Sequence, residues 1–166
     1  MKNQYAFTLF EILTVLALLA IIGRIAVPAL QDFLERNQQQ AIFNQIVRAV
    51  HNARSHAVTQ RVTVELCGSR DGLSCHSDWS HGWLLREVKN DTPIAVTLLS
   101  PDRQHLQWKG VKPEIQFNSN GISSLGNGRF YGCYKEKISW QLILNRQGRL
   151  RVGSQQENSA HNANCS

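Results

Sequence analysis

The feature that most constrains this sequence is the apolar span FTLFEILTVLALLAIIGRIAV at residues 7–27, which contains no proline. Its length of 21 residues is enough for one transmembrane helix, because about 20 apolar residues cross the hydrocarbon core of a bilayer. Glu11 lies inside this span, and a charged side chain at the centre of a bilayer costs about 2.5–3.5 kcal/mol. The span therefore predicts a membrane helix in which the carboxylate has a partner or a purpose.

A secretory signal peptide is the alternative interpretation of this span. The hydrophobic core of such a peptide does not usually contain a glutamate, and here the helical pattern continues past the place where a cleaved signal would end. Beyond Pro28, apolar residues recur at steps of three and four, which places them on one face of a helix. That face comprises Leu30, Phe33, Leu34, Ile42, Ile46, Ala49, Val50, Ala53 and Ala57. We therefore predict one helix over residues 7–60, with residues 7–29 transmembrane and the second half amphipathic.

The rest of the chain, residues 61–166, contains short runs rich in branched and aromatic residues, separated by Gly, Asn, Asp and Pro. This pattern is typical of an antiparallel β-sheet domain. The runs are residues 61–66, 82–88, 94–99, 105–109, 114–117, 129–134, 137–144 and 149–152. The NRQG segment at 145–148 predicts a tight hairpin turn, and the polar tail from Gly153 predicts a loop. The expected fold class is α+β, a long N-terminal helix packed on antiparallel sheet.

The four cysteines of the chain are Cys67, Cys75, Cys133 and Cys165. An even number of cysteines behind an export-type N-terminus favours disulfides in an oxidising compartment. Three pairings are possible, and proximity in sequence favours Cys67–Cys75, which leaves Cys133–Cys165.

A zinc site is the alternative for part of this set, with His76 and His81 as further ligands to Cys67 and Cys75. The spacing C-x7-C-H-x4-H matches no usual zinc pattern. We therefore predict no metal and no cofactor. The sequence also lacks a recognisable nucleophile-and-base spacing, a phosphate loop or paired catalytic carboxylates, so we predict that the protein is not an enzyme.

The segment A-F-T-L-F-E at residues 6–11, followed by an apolar helix, resembles the class III signal of type IV pilins and of type II secretion pseudopilins. The resemblance implies that prepilin peptidase cuts between Ala6 and Phe7, removes residues 1–6, and leaves Phe7 with an N-methylated amine. The family usually has Gly before the cut, where this chain has Ala6. In a filament, Glu11 would then meet the N-terminal amine of a neighbouring pilin, because two opposite charges in a bundle of low dielectric attract strongly.

Charge is concentrated at the other end of the chain. The net charge is +6, and from Arg129 onward six basic residues stand against two acidic ones. The segment R-Q-G-R-L-R at residues 146–151, near the end of a helix-plus-sheet chain, resembles the DNA-binding signature of FimT-type proteins within the GspH/FimT group of minor pilins and pseudopilins. The resemblance implies that Arg146, Gly148, Arg149 and Arg151 bind double-stranded DNA.

The residues are compatible with that role. Alternation along a strand would place Arg149 and Arg151 on one face and Leu150 on the other. Guanidinium groups bind phosphate through paired hydrogen bonds, and Gly148 permits a left-handed turn that lets a phosphate approach the main chain. Three such contacts would give a slope of log K against log salt of roughly −2.7. Further basic residues that we expect to assist are Arg129, Lys135 and Lys137.

The expected function is a minor type IV pilin that binds extracellular DNA without sequence specificity for uptake in natural transformation. The alternatives are a type II secretion pseudopilin and a minor pilin that only primes assembly, neither of which would bind DNA. In all three cases the chain would begin as a single-pass protein of the inner membrane with its C-terminal domain in the periplasm, and would then join a pilus or pseudopilus at the cell surface.

Overall fold

The computed structural model of the chain describes residues 9–100, 106–135 and 137–165. The predicted cleavage site, Ala6 and Phe7, lies outside the described residues. The chain divides into two compact units, with the boundary between Gln38 and Gln39. The helix α1, Leu9–Gln60, contributes residues to both units.

In the first unit, the described residues form only the N-terminal part of α1. By length and composition, α1 is the one helix in the described part of the chain that could cross a membrane. Leu30, Phe33 and Leu34 are 50–61% exposed, so the prediction that they belong to the packed stripe is wrong. No other described element of this unit covers them.

In the second unit, α1 buries one face against the sheets. Its buried apolar residues are Ile42, Ile46, Val50, Ala53 and Ala57. This face confirms the amphipathic pattern from Gln39 onward, because the residues recur at steps of three and four. The helix ends at Gln60, where Arg61 adopts φ +56° and the amide of Val62 donates to the carbonyl of Ala57 at 3.2 Å. This C-terminal cap uses residues that we predicted to start the first strand.

All eight predicted runs form strands, which confirms the α+β class. Their bounds are β1 Val64–Gly68, β2 Gly82–Glu87, β3 Pro93–Leu98, β4 Leu106–Gly110, β5 Ile115–Phe117, β6 Gly128–Tyr134, β7 Lys137–Leu144 and β8 Leu150–Val152. Within the described residues they make two antiparallel sheets, ordered β3-β2-β1-β5 and β4-β6-β7-β8. Trp79, Phe117 and Phe130 fill the core between these sheets and α1.

The C-terminal tail differs from the predicted loop. It forms a short helix α2, Gln155–Ala160, and then a 3-10 turn, Asn162–Cys165. The Ser154 hydroxyl accepts from the amide of Glu157, and the Glu157 carboxylate accepts from the amide of Ser154. This reciprocal capping box satisfies amides that would otherwise lack partners at the start of α2. The S-x-x-E spacing is visible in the sequence and explains why the helix forms.

Two disulfides join the four cysteines in the described structure. Cys67 pairs with Cys75 and Cys133 with Cys165, with Cα–Cα distances of 5.5 and 5.6 Å. The first is the pairing that sequence proximity favours, and it uses the sulfurs that a zinc ion would need as thiolates. The second ties the 3-10 turn to β6 and so holds the tail on the second sheet.

Candidate nucleic-acid interface

The β7–β8 hairpin presents the arginine segment at one end of the second sheet. The amide of Gly148 donates to the carbonyl of Asn145 at 2.9 Å, and the amide of Asn145 donates to the carbonyl of Arg149 at 3.1 Å. Gly148 has φ +73°, which favours glycine. This is a tight turn closed by a residue in the left-handed region, a common hairpin connection.

Gly148 itself is buried, which changes its expected role. Its carbonyl accepts a hydrogen bond from Arg54 Nη1 at 3.3 Å. A Cβ at this position would lie 2.8 Å from the carbonyl oxygen of Gly121 and 2.9 Å from the ring of Phe117. The expectation that a phosphate approaches the main chain at Gly148 is therefore corrected, since neighbouring residues occupy that space. Gly148 shapes the turn that carries the arginines.

Arg146 and Arg149 are the exposed cations of the turn. Within residues 9–100, 106–135 and 137–165, neither guanidinium group forms a hydrogen bond or an ion pair. Leu150 lies opposite the buried Leu144 and packs against the core, so Arg149 and Arg151 project from the outer face of the sheet. The turn thus presents two charges whose hydrogen-bonding capacity is unused.

Arg151, in contrast, is held by an internal carboxylate. Its two terminal nitrogens donate to the two oxygens of Glu157 at 2.9 and 2.7 Å. The hydrogen bonds from Arg151, followed by the amide of Ser154, lower the pKa of Glu157 to about 2. The same hydrogen bonds raise the pKa of Arg151. A phosphate must therefore compete with Glu157 for this guanidinium group.

This ion pair predicts a pH dependence of folding stability. The pKa of Glu157 falls from its ordinary value of 4.5 to about 2 on folding, so the pair contributes stability above the ordinary value and loses it as pH falls towards the folded value. We expect wild type to be more stable than Glu157→Gln at neutral pH, with the difference vanishing between those two values. Urea unfolding across this range measures it, because Gln keeps the capping position but not the charge. A difference that persists at the acidic end would contradict the assignment.

The three basic residues that we expect to assist DNA binding, Arg129, Lys135 and Lys137, lie at two different places on the second sheet. Arg129 lies opposite Ile143, which lies opposite Arg151, so the two arginines share one row about 10 Å apart, two strand spacings. Lys135 and Lys137 flank the turn at the other end of β7. That strand has eight residues, which separates its ends by roughly 23 Å. The structure therefore brings Arg129 towards the arginine hairpin and leaves Lys135 and Lys137 away from it.

Two further cations were not identified from the sequence. Arg54, from α1, lies under the turn and bonds to Gly148. Lys109, on β4, lies directly opposite Arg129 on β6. Alternation along each strand predicts the sheet face of Lys109 and of Arg129, but β4 and β6 are not consecutive strands. Their register was therefore not readable from a turn between them.

Comparison with known proteins agrees with this architecture. The family model described as "Type II transport protein GspH" matches residues 43–148, and the model of the prokaryotic N-terminal methylation motif matches residues 1–23. A search of curated proteins gave no match.

Two solved structures of the Pseudomonas aeruginosa (strain PAO1) type IV minor pilin FimU match this chain. In space group P21 the identity is 21%, with 74% of this chain and 92% of that chain covered and a TM-score of 0.51. In space group P65 the identity is 22%, with 69% of this chain and 92% of that chain covered and a TM-score of 0.49. The family model spans more than half of the 166 residues, and the helix-plus-sheet fold agrees with it. The chain belongs to the GspH family of minor type IV pilins and pseudopilins.

Proposed function

We propose that this protein is a minor type IV pilin that binds extracellular double-stranded DNA without sequence specificity, for uptake in natural transformation. The observation that carries the proposal is the pair of exposed guanidinium groups, Arg146 and Arg149, with no internal partner in the described structure. Arg151 and Arg129 extend this charge along the outer face of the second sheet.

The geometry suits phosphate contacts better than base contacts. The turn fixes the backbone that carries the arginines, and each guanidinium can donate two parallel hydrogen bonds to one phosphate. The hairpin is short, and the described helix beside it, α2, has six residues, so neither resembles the long helices and ribbons that enter a major groove and read base edges. Binding should therefore depend strongly on salt and weakly on sequence.

The N-terminus supplies the filament side of the proposal. Prepilin peptidase would remove residues 1–6, and Phe7 would carry the methylated amine, in agreement with the methylation motif over residues 1–23. The C-terminal domain would face the periplasm while residues 7–29 span the inner membrane. Glu11 would then pair with the amine of a neighbouring pilin during assembly. Members of this family are filament subunits, in line with a protein that is not an enzyme.

A salt titration of DNA binding tests the hairpin. We expect Arg146 and Arg149 together to contribute about −1.8 to the slope of log K against log salt, at about −0.9 for each phosphate contact. Glu157 is paired with Arg151, so the Glu157→Gln variant should free Arg151 for a third phosphate contact. We expect this contact to steepen the slope by about 0.9. Fluorescence anisotropy with a labelled duplex, using the full chain in an uncharged detergent, measures both values.

The outcomes separate the mechanisms. A slope near zero for wild type would remove the electrostatic account altogether. A Glu157→Gln slope equal to that of wild type would show that Arg151 either contacts DNA despite its carboxylate or does not contribute. Two duplexes of equal length and unrelated sequence should bind with equal affinity, and a strong preference between them would contradict non-specific binding.

A role as a type II secretion pseudopilin is the second candidate, because the matched family is described as a type II transport protein. A minor pilin that primes assembly without binding DNA would share its N-terminus. Deletion of the gene in its own host distinguishes these roles. Loss of transformation with normal protein secretion supports DNA uptake, loss of secretion supports the pseudopilin, and loss of pili that the hairpin variants do not reproduce supports priming.

A further inference from the structure

A second cationic feature lies at the other side of the outer sheet face, between β4 and β6. Lys109 and Arg129 are directly opposite each other in the register of these strands. Directly opposite residues in an antiparallel pair have Cβ atoms about 4.5–5.5 Å apart, so two positive side chains emerge together. Like charges in this arrangement destabilise a sheet unless an anion or solvent compensates them.

The C-terminal tail turns this pair into a cleft. The 3-10 turn Asn162–Cys165 lies beside the pair, held by the Cys133–Cys165 disulfide, and the open cleft between them has a volume of about 400 Å³. Its polar lining consists of Lys109, Arg129, Tyr131, His161, Asn127 and Asn164.

Both cations are held by neutral groups. Lys109 Nζ donates to Asn164 Oδ1 at 3.0 Å, and Arg129 Nη1 donates to Gln141 Oε1 at 3.3 Å. Amide oxygens orient the two side chains without cancelling their charge. Among the described residues that line the cleft there is no carboxylate, which contrasts with the ion pair of Arg151 and Glu157 nearby.

Two other lining groups can add hydrogen bonds. Burial raises the pKa of Tyr131, which keeps its hydroxyl protonated and able to donate. The side-chain oxygen of Asn127 is buried and has no hydrogen-bond partner within the described residues. Asn127 lines the cleft as well, and an amide side chain carries two N–H donors besides its oxygen.

We propose that this cleft binds a phosphate group, with Lys109 and Arg129 as its charged ligands. A tetrahedral phosphate offers oxygens in several directions, which suits donors arriving from two strands and from the tail, whereas a carboxylate offers only two oxygens in one plane. The cleft is larger than a phosphate ion, so a phosphate ester also fits. The ligand is therefore either free phosphate or a phosphodiester of a DNA backbone. The site does not depend on the proposed DNA function, because free phosphate alone would suffice.

Inorganic phosphate is the first probe. Line broadening of its 31P resonance by the full chain in an uncharged detergent should be lost in Lys109→Gln/Arg129→Gln, with affinity reduced roughly tenfold or more. The matched control Arg48→Gln/Lys89→Gln removes the same two residue types at exposed positions outside the cleft and should bind as wild type does. Lys109→Arg, which keeps the charge, should retain binding, and circular dichroism should show each variant folded.

Duplex DNA distinguishes the source of the phosphate. If the cleft holds a backbone phosphate, Lys109→Gln/Arg129→Gln should make the salt slope shallower by about 0.9, for the one phosphate contact that is lost. If the slope is unchanged while inorganic phosphate binding is lost, the site takes free phosphate. Either result supports the site, even where the hairpin proves not to bind DNA. No broadening by wild type, or equal broadening by the Lys109→Gln/Arg129→Gln variant, would overturn it.

Discussion

Replacing Arg146, Arg149 and Arg151 together by Gln should nearly abolish binding to duplex DNA. At 0.1 M monovalent salt each phosphate contact adds roughly 0.9 log units of affinity through released counterions. Two lost contacts then weaken binding by about 60-fold, and three by about 500-fold. The full chain in an uncharged detergent, titrated against a labelled duplex at this salt concentration, gives the value directly.

The matched control removes three cations elsewhere on the same domain. Arg48, Lys89 and Lys112 are exposed and lie outside the hairpin, so their joint replacement by Gln lowers the net charge equally. If both triple variants weaken binding to the same degree, the attraction is a property of total charge and the hairpin is not an interface. The hairpin variant should also keep its fold, since its side chains are exposed and Leu150 still packs against the core.

Glu11→Ala should leave the protein inserted and processed but nearly absent from filaments. Removing one partner of a buried ion pair costs about 3–5 kcal/mol because the other charge stays unpaired. An incorporation equilibrium would then shift by more than about a hundredfold. Pili sheared from cells, compared with the membrane fraction by immunoblot, measure the ratio of assembled to unassembled subunit.

Glu35→Ala provides the comparison, because Glu35 is a second glutamate of α1 that lies well past the first turn. That variant should assemble normally. Mass spectrometry of both variants should give a chain that begins at Phe7, which separates an assembly defect from a failure of cleavage. Normal incorporation of the Glu11→Ala protein would refute the pairing role.

The strands were readable from the sequence because each is a short run bounded by turn residues, and the β7–β8 connection was readable because NRQG carries its own turn chemistry. The predictions from sequence are wrong where the local residue pattern and the surrounding structure disagree. Leu30 and Phe33 have helical spacing, but spacing alone does not supply a covering element, and both are exposed. Arg61 and Val62 have strand composition, yet they form the C-terminal cap of α1.

The arginine hairpin is predictable from its own turn residues, whereas the ion pairing of its arginines is not. The polar composition of the tail predicts a loop, whereas its S-x-x-E spacing starts α2 and brings Glu157 to Arg151. Lys109 and Arg129 are separated by twenty positions in sequence and become neighbours only through strand pairing. Partners distant in sequence depend on topology, which one sequence does not reveal.

The Cys133–Cys165 link has a mechanical consequence. The arginine hairpin lies between these two cysteines, so β7, β8 and the basic turn form part of one covalently closed ring. If a filament pulls on attached DNA, the tension acts first on the turn and is then transmitted to the rest of the domain. The disulfide gives this tension a second covalent path, through β8 and α2 into β6, beside the path through β7.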